Sequence, residues 1–238
     1  MGKVFDLQFM VSTVPEIISY LPVTLKIAAC SGIIALVLGF GVAFVRYFNI
    51  RILSPLCKLY LSFARGTPAM VQLLVAYYGI PVFLRSLNEQ LGSNLSVNGI
   101  PASVFAVVAL SLNSGAFMSE TIRSAMLSVD AGQLEACYSV NMTTRQALFR
   151  VVLPQAFTVA LPPLGNSFIS LLKETSLIFN ISVIEMMAAA KIVGSRSFRF
   201  FEVYIVVALI YWGCCIVLEY LFGCWEKRVR RYERRAAK

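Results

Sequence analysis

The sequence predicts an all-α, polytopic membrane protein with about five transmembrane helices. Of its 238 residues, 58% are apolar and only 14% are charged, whereas a soluble globular domain carries about 25% charged residues. Long runs contain no Asp, Glu, Lys or Arg, among them residues 27–45 and 151–172, and such runs are long enough to cross a bilayer. The 17 Phe and 10 Tyr residues exclude a disordered chain.

Residues 1–21 are predicted to form an interfacial segment ahead of the first span. Asp6, Pro15 and Glu16 interrupt an otherwise apolar stretch, which favours a location at the membrane surface over a signal peptide. The first span is predicted from Val23 to Val45. Small residues recur along it at spacings of three or four and favour close contact with another helix: Ala28, Gly32, Ala35, Gly39 and Ala43.

The second span is predicted from Tyr60 to Leu84 and is entered through the sequence Arg65-Gly66-Thr67-Pro68. A polar loop with Asn94 and Asn98 separates it from the third span, which is predicted from Ile100 to Val129. Both are long enough to cross a bilayer as single helices.

The fourth span, Val151–Leu172, contains Pro154 and the pair Pro162-Pro163. Because proline removes a helical hydrogen bond, a broken or kinked helix is expected here. The mixed residues 173–200 are predicted to include a short re-entrant or surface helix near Val183–Ile192. The last span runs from Phe201 to Trp225 and leads into a basic segment, residues 226–238.

The distribution of positive charge predicts the orientation of the spans. The net charge is +9, and seven Lys and Arg residues lie between Lys227 and Lys238. An orientation with the N-terminus outside and the C-terminus in the cytoplasm places most basic residues, including Arg46, Arg65 and the tail, on the inner side, as the positive-inside rule requires. Topology and membrane lipid therefore explain the charge, and no nucleic-acid partner is expected.

Residues 130–150, between the third and fourth spans, are too polar to lie in hydrocarbon. They are predicted to form two short helices on the cytoplasmic face, with Thr143 or Thr144 capping the second helix and Pro154 opening the next element. Taken alone, this pattern also fits an ordinary polar loop of a membrane protein.

The same segment and the residues after it contain Glu135-Ala136-Cys137, Asn141, Val151, Leu153 and Pro154. At the same spacings, a motif reads E-A-A, three residues, G, nine residues, I, one residue, L-P. The segment therefore resembles the permease subunits of bacterial ATP-binding-cassette (ABC) importers, in which that motif occurs. Further stretches are similar to the polar amino-acid uptake branch of these permeases: Arg65-Gly66-Thr67-Pro68, Leu153-Pro154-Gln155-Ala156, Leu161-Pro162-Pro163-Leu164, Asn166 and Lys173-Glu174-Thr175-Ser176-Leu177.

The resemblance implies that residues 1–238 form a single transmembrane permease domain of the type I importer fold in the bacterial inner membrane. It also implies that the segment 130–150 couples to an ATPase through Gly132, Glu135, Ala136, Cys137, Asn141, Leu153 and Pro154. Two positions depart from the motif. Cys137 replaces a small Ala, and Asn141 replaces a Gly whose left-handed turn Asn also tolerates.

The sequence contains no G-x-x-x-x-G-K-[ST] motif, so no ATP and no other cofactor is expected on this chain. With no His, no metal-ligand spacing and no nucleophile beside a base, it is predicted to be a transporter subunit and not an enzyme. The resemblance implies ABC ATPase subunits, a second permease chain (identical or paralogous) and an extracytoplasmic solute-binding protein as partners.

Polar groups within or beside membrane spans are costly and are therefore candidates for the substrate pathway: Glu120, Asn166, Glu174, Thr175 and Ser176. For Glu120, an ion pair with Arg123 on the same helix is an equally good interpretation. The resemblance favours a polar amino acid as substrate. Cystine is preferred, because an acidic pathway residue suits a second amino group, and basic amino acids or glutamine come next.

Two other classes of function were weighed. An ion-coupled secondary transporter would be expected to show internal repeats and more spans, and it would leave the segment 130–150 unexplained. A membrane scaffold subunit fits the composition equally well, and only association with an ATPase separates it from a permease.

Overall fold

A computed structural model describes residues 6–92 and 99–236, and these residues form ten α-helices. The predicted loop asparagines Asn94 and Asn98, the first five residues of the N-terminal segment and the last two of the basic tail lie outside the described residues. The helices are α1 (Leu7–Ile18), α2 (Leu21–Tyr47), α3 (Leu53–Gly66), α4 (Ala69–Leu91), α5 (Ala102–Leu127), α6 (Ala131–Ser139), α7 (Thr144–Ala147), α8 (Leu153–Glu174), α9 (Met186–Ser197) and α10 (Phe200–Ala236).

The prediction of five spans is confirmed by length and composition in the described chain. The apolar helical stretches are Leu21–Tyr47, Ala69–Leu91, Ala102–Leu127, Thr144–Ile181 and Phe200–Val229. Helix α5 lies at the centre and packs against α2, α3, α4 and α8. One apolar core joins α2, α5 and α8, and a second joins α1, α9 and α10.

The contact between α2 and α5 depends on the predicted row of small residues, all of which are buried. At Gly39 the two backbones come so close that an added Cβ would lie 3.2 Å from the Ser119 nitrogen and 3.3 Å from the Gly115 oxygen. Backbone atoms cannot swing aside as a side chain can, so this position accepts no larger residue without separating the helices.

A Gly39→Val variant is therefore expected to lose about 1–3 kcal/mol of stability through overpacking. Gly41 is the matched control, because it lies on the same helix with no neighbour within 4 Å of an added Cβ. Thermal unfolding of the purified protein measures the difference. Equal melting temperatures for Gly39→Val and Gly41→Val would contradict the close packing of α2 on α5.

The predicted second span, Tyr60–Leu84, is wrong in its boundaries. Two helices, α3 and α4, meet at Thr67-Pro68, both of which have extended backbone. Pro68 excludes an α conformation at the residue before it, so α3 ends and α4 begins at Ala69. The Gln72 side chain replaces some of the backbone hydrogen bonds that are lost where α3 ends. Its Nε2 donates to the Ala64 oxygen at 2.8 Å and to the Thr67 oxygen at 3.0 Å.

The fourth span is predicted to be broken or kinked, and the structure shows no break at Pro162-Pro163. Helix α8 continues from Leu153 to Glu174 through Pro162 and Pro163. The irregular turns lie at its two ends, as a π-helical turn at Leu148–Val152 and a 3₁₀ segment at Thr175–Ile181. Pro154 lies in the first turn of α8, which confirms the prediction that it opens this element, although helical structure is continuous from Thr144 to Ile181. Membrane helices tolerate interior proline where packed neighbours compensate for the lost hydrogen bonds.

The predicted short helix near Val183–Ile192 is present but shifted, as α9 (Met186–Ser197). The N-terminal segment forms α1, and its Met10 and Ile17 pack into the core shared with α9 and α10. Asp6 caps α1 and accepts a bond from the Arg199 guanidinium at 2.6 Å. The backbone N–H of Phe9 and then Arg199 hold the pKa of the Asp6 carboxyl below its usual range.

Candidate functional site

The segment between α5 and α8 forms two short helices, as predicted, and each begins with a side-chain cap. The Gly132 N–H donates to the Asp130 Oδ1 at 2.7 Å at the start of α6. At the start of α7, Thr143 and Gln146 form a reciprocal capping box. These caps satisfy backbone donors that would otherwise remain unpaired and fix both helix starts.

Asn141 lies in the turn between the two helices with a left-handed backbone, at φ 57°. This confirms the prediction that Asn replaces Gly in a left-handed turn. Asn is one of the few residues that adopt this conformation at low cost.

One face of α6 contacts the rest of the chain, and the other faces outward. Cys137 is buried, Leu134 packs against the α2–α5–α8 core, and the Gln155 Nε2 on α8 donates to the Gln133 Oε1 at 3.3 Å. On the outward face, Tyr138 and the following Val140 are 47% and 71% exposed. These are two exposed apolar side chains on an otherwise polar segment.

Glu135 and Ala136 also lie on the outward face and are exposed. Among the described residues, the Glu135 carboxylate has no hydrogen-bond or ion-pair partner; only its backbone oxygen accepts a bond, from Ser139. The Glu135 side chain therefore makes no pair within its own helix. Leu153 and Pro154 lie at the start of α8, with Leu153 packed on the core and Pro154 exposed.

Helix α7, the π-helical turn and α8 form one continuous helical rod from Thr144 to Glu174, about 45 Å long at 1.5 Å per residue. The rod joins the α6–α7 segment at one end to the predicted pathway residues at the other. No loop interrupts the helical structure between α7 and Glu174.

The predicted pathway residues on the rod differ in accessibility. Asn166 is exposed, and Glu174 and Ser176 are half-buried. The Glu174 Oε2 is buried without a hydrogen-bond partner, which leaves an acceptor for an additional group. The Ser176 hydroxyl donates to the Lys173 oxygen at 2.7 Å.

Thr175 is fully buried and already bonded. Its hydroxyl donates to the Leu172 oxygen at 2.6 Å and lies 3.5 Å from the Tyr211 hydroxyl. Its side chain therefore stabilises the start of the 3₁₀ segment from inside the bundle and is not accessible to a substrate in this structure.

Glu120 lies near the opposite end of the bundle, within a group of arginines. Its carboxylate pairs with Arg46, with Arg123 at 3.2 Å and with Arg65 at 3.6 Å. The predicted pair with Arg123 is present, and two further helices contribute an arginine. The structure thus places Glu120 apart from the group at the C-terminal end of α8.

Sequence reasoning did not select two features of the site. Ser170 is exposed on the same face of α8 as Asn166 and Lys173, which lie four positions before it and three after it, and helical periodicity could have identified this polar stripe. Glu185 is fully buried and accepts bonds from the Tyr211 hydroxyl at 2.8 Å, the Ala188 N–H at 3.0 Å and the Thr24 hydroxyl at 3.3 Å. No local pattern signals these contacts across the chain.

Comparison with known proteins gives a family match over most of the chain. Residues 13–231 match the family described as "Binding-protein-dependent transport system inner membrane component". The probable amino-acid ABC transporter permease protein PatM of Vibrio harveyi is 44% identical over 90% of this chain and 92% of its own length.

Two further relatives are similar over nearly their whole length. The L-cystine transport system permease protein TcyL of Bacillus subtilis (strain 168) is 39% identical over 99% of this chain and 96% of its own. A chain in the crystal structure of an amino acid ABC transporter with histidines is 35% identical, with a TM-score of 0.81, over 95% of this chain and 100% of that chain.

Proposed function

Since this chain belongs to the family of binding-protein-dependent transport system inner membrane components and is the permease subunit of an amino-acid ABC importer, we propose how its residues couple ATP hydrolysis to transport. It is a multi-pass inner-membrane protein and not an enzyme, because the ATPase is a separate subunit in this family. The α6–α7 segment docks on that ATPase subunit. ATP binds to the ATPase subunit and not to this chain.

The observation that carries this proposal is the outward face of α6. It combines an exposed carboxylate without an internal partner, Glu135, with the exposed apolar side chains of Tyr138 and Val140. A charged group beside apolar anchors is the usual chemistry of a protein contact. Asn141 and Gly132 shape the turns on either side of this face.

The continuous rod supplies the mechanical link from the ATPase to the substrate pathway. Closure of two ATPase subunits would displace the α6–α7 segments, and the rod would carry that shift to the C-terminal end of α8. Leu134, Cys137 and the Gln155–Gln133 contact keep α6 attached to the rod. Leu153 and Pro154 belong to the rod at the point where it leaves the π-helical turn.

In this proposal the pathway lies along the polar stripe of α8 and is completed by a second permease chain, identical or paralogous. Asn166, Glu174 and Ser176 line it. Thr175 and Glu120, whose polar atoms are taken by neighbours, hold its walls in position. An extracytoplasmic solute-binding protein delivers the substrate.

We further propose cystine as the substrate, with basic amino acids and glutamine as the next candidates. The unpaired acceptor of Glu174 suits a ligand that carries a second ammonium group. The similarity to the L-cystine permease TcyL supports the same choice.

The test is uptake by proteoliposomes that contain the chain, its ATPase subunits and its solute-binding protein. ATP-dependent accumulation of radiolabelled cystine, displaced by neither arginine nor glutamine at equal concentration, is expected. Accumulation of glutamine with no response to cystine would overturn the substrate assignment but leave the permease assignment intact.

A Glu174→Gln variant is expected to reduce uptake of a diamino substrate by roughly tenfold or more, because a charge-assisted bond contributes about 1.5–3 kcal/mol. Uptake of a monoamino substrate should fall less. Glu219→Gln, the same change at an exposed carboxylate on α10 outside the proposed pathway, is the matched control. Equal loss for both substrates would contradict a role of Glu174 in reading the second ammonium group.

A further inference from the structure

An open cavity of about 480 Å³ lies between α2, α3 and α5 at the end of the bundle that leads into α6. Three cationic side chains, Arg46, Lys58 and Arg65, line it together with one carboxylate, Glu120. It lies apart from the C-terminal end of α8 and serves no step of the transport mechanism above.

The cavity carries an excess of positive charge that Glu120 cannot neutralise. Its single carboxylate is shared among Arg46, Arg65 and Arg123. Within the described parts of the chain, no carboxylate lies within ion-pair distance of Lys58. Such a site repels the ammonium group of an amino acid and attracts an anion with several acceptor oxygens, of which phosphate is the best match.

The cationic groups at the rim are placed to contact a ligand. The Arg65 side chain is 46% exposed, and its guanidinium lies 5.8 Å from the centre of the Phe117 ring. Lys58 lies two helical turns before it on the same face of α3 and is also exposed. Arg46, by contrast, is only 16% exposed and closes the inner wall of the cavity.

The opposite side of α3 is apolar and open. Leu56, Leu59 and Phe63 are 59%, 70% and 56% exposed, and their spacing places them on one stripe of the helix. A free phosphate ion would use only the cationic face. A phospholipid uses both, because its phosphate enters the cavity while its acyl chains cover the apolar stripe.

The sequence predicts that this end of the bundle lies at the cytoplasmic leaflet. Arg46 and Arg65 lie in the last turns of α2 and α3, and basic groups at span ends are placed to meet lipid headgroups. We propose that the cavity lined by Arg46, Lys58 and Arg65 binds the phosphate of an anionic phospholipid of the inner leaflet and thereby fixes α3 against α2 and α5.

Native mass spectrometry of the full chain, purified with its ATPase subunits and titrated with phosphatidylglycerol, tests this proposal. The double variant Lys58→Gln/Arg65→Gln is expected to lower the apparent lipid affinity at least about tenfold. The matched control, Lys227→Gln/Arg228→Gln on α10, removes the same number of exposed charges, outside the cavity and outside the α6–α7 segment that docks on the ATPase. Its affinity for the lipid should be unchanged.

Two further arms define the ligand. Phosphatidylethanolamine should bind at least about tenfold more weakly than phosphatidylglycerol, and millimolar inorganic phosphate should not displace the bound lipid. Equal affinity of the two double variants would overturn the site, and displacement by inorganic phosphate would overturn the assignment to lipid. Lys58→Gln alone, at an exposed position, repeats the titration if the double variant does not assemble.

Discussion

Reversal of one charge, in the Glu135→Arg variant, is expected to abolish ATP-driven uptake while leaving the fold of the permease unchanged. Removal of one partner of a charge contact at a protein interface costs about 2–5 kcal/mol, so uptake should fall at least about 30-fold. The ATPase subunit should no longer co-purify with the chain.

The measurement that separates docking from a structural role is the melting temperature. Because the Glu135 carboxylate has no partner among the described residues, its loss should not change thermal unfolding of the chain. Glu135→Gln, which keeps the shape and a hydrogen-bonding group, should show an intermediate loss of uptake. Normal uptake by Glu135→Arg would refute the assignment of α6 as the coupling helix.

The second large effect is expected at Glu185, where Glu185→Ala should destabilise the whole bundle. The carboxylate accepts bonds from Tyr211 on α10, Thr24 on α2 and Ala188 on α9. Removal of the acceptor leaves the buried Tyr211 hydroxyl and Ala188 N–H unpaired, at about 1–3 kcal/mol for each group.

The loss should lower the melting temperature by roughly 5–10 °C. Glu185→Gln retains one side-chain oxygen as an acceptor and should retain most of the stability, so it is the matched control. A melting temperature for Glu185→Ala equal to that of the wild type would show that the three contacts do not hold α2, α9 and α10 together.

Local sequence features predicted those parts of the structure that depend on neighbouring residues. The five spans follow from runs of apolar residues, and the Thr143 cap and the left-handed turn at Asn141 follow from the chemistry of single residues. The row of small residues around Gly39 correctly indicated a close helix contact. The orientation of the spans and the roles of the site residues stay predictions.

Proline interrupts the helix at one predicted span and not at another, and the difference has a physical reason. Pro68 disfavours a helical conformation at the residue before it, so α3 ends there. The Gln72 and Asn113 side chains donate hydrogen bonds to the buried backbone oxygen of Ala64. Pro162 and Pro163 lie inside a helix that packs between α5 and α10, and this packing keeps α8 helical. Sequence alone does not show which prolines have such support.

The buried Glu185 illustrates what a local pattern cannot reveal. Its partner Thr24 lies 161 positions away in the sequence, and its contacts form only when α2, α9 and α10 pack together. The charged cavity at Arg46, Lys58 and Arg65 could not be predicted from a local pattern either, because it forms only when three separate helices meet.

Site-specific cross-linking from α6 to the ATPase tests the central claim most directly. A photoreactive amino acid at Tyr138, which is 47% exposed, should cross-link the permease to the ATPase subunit in the assembled importer, with a yield that changes between ATP-bound and nucleotide-free complexes. The same probe at Val11 on α1, which is 66% exposed, should give no ATPase product. A cross-link from Val11 to the ATPase, with none from Tyr138, would contradict the assignment of α6 as the ATPase-docking helix.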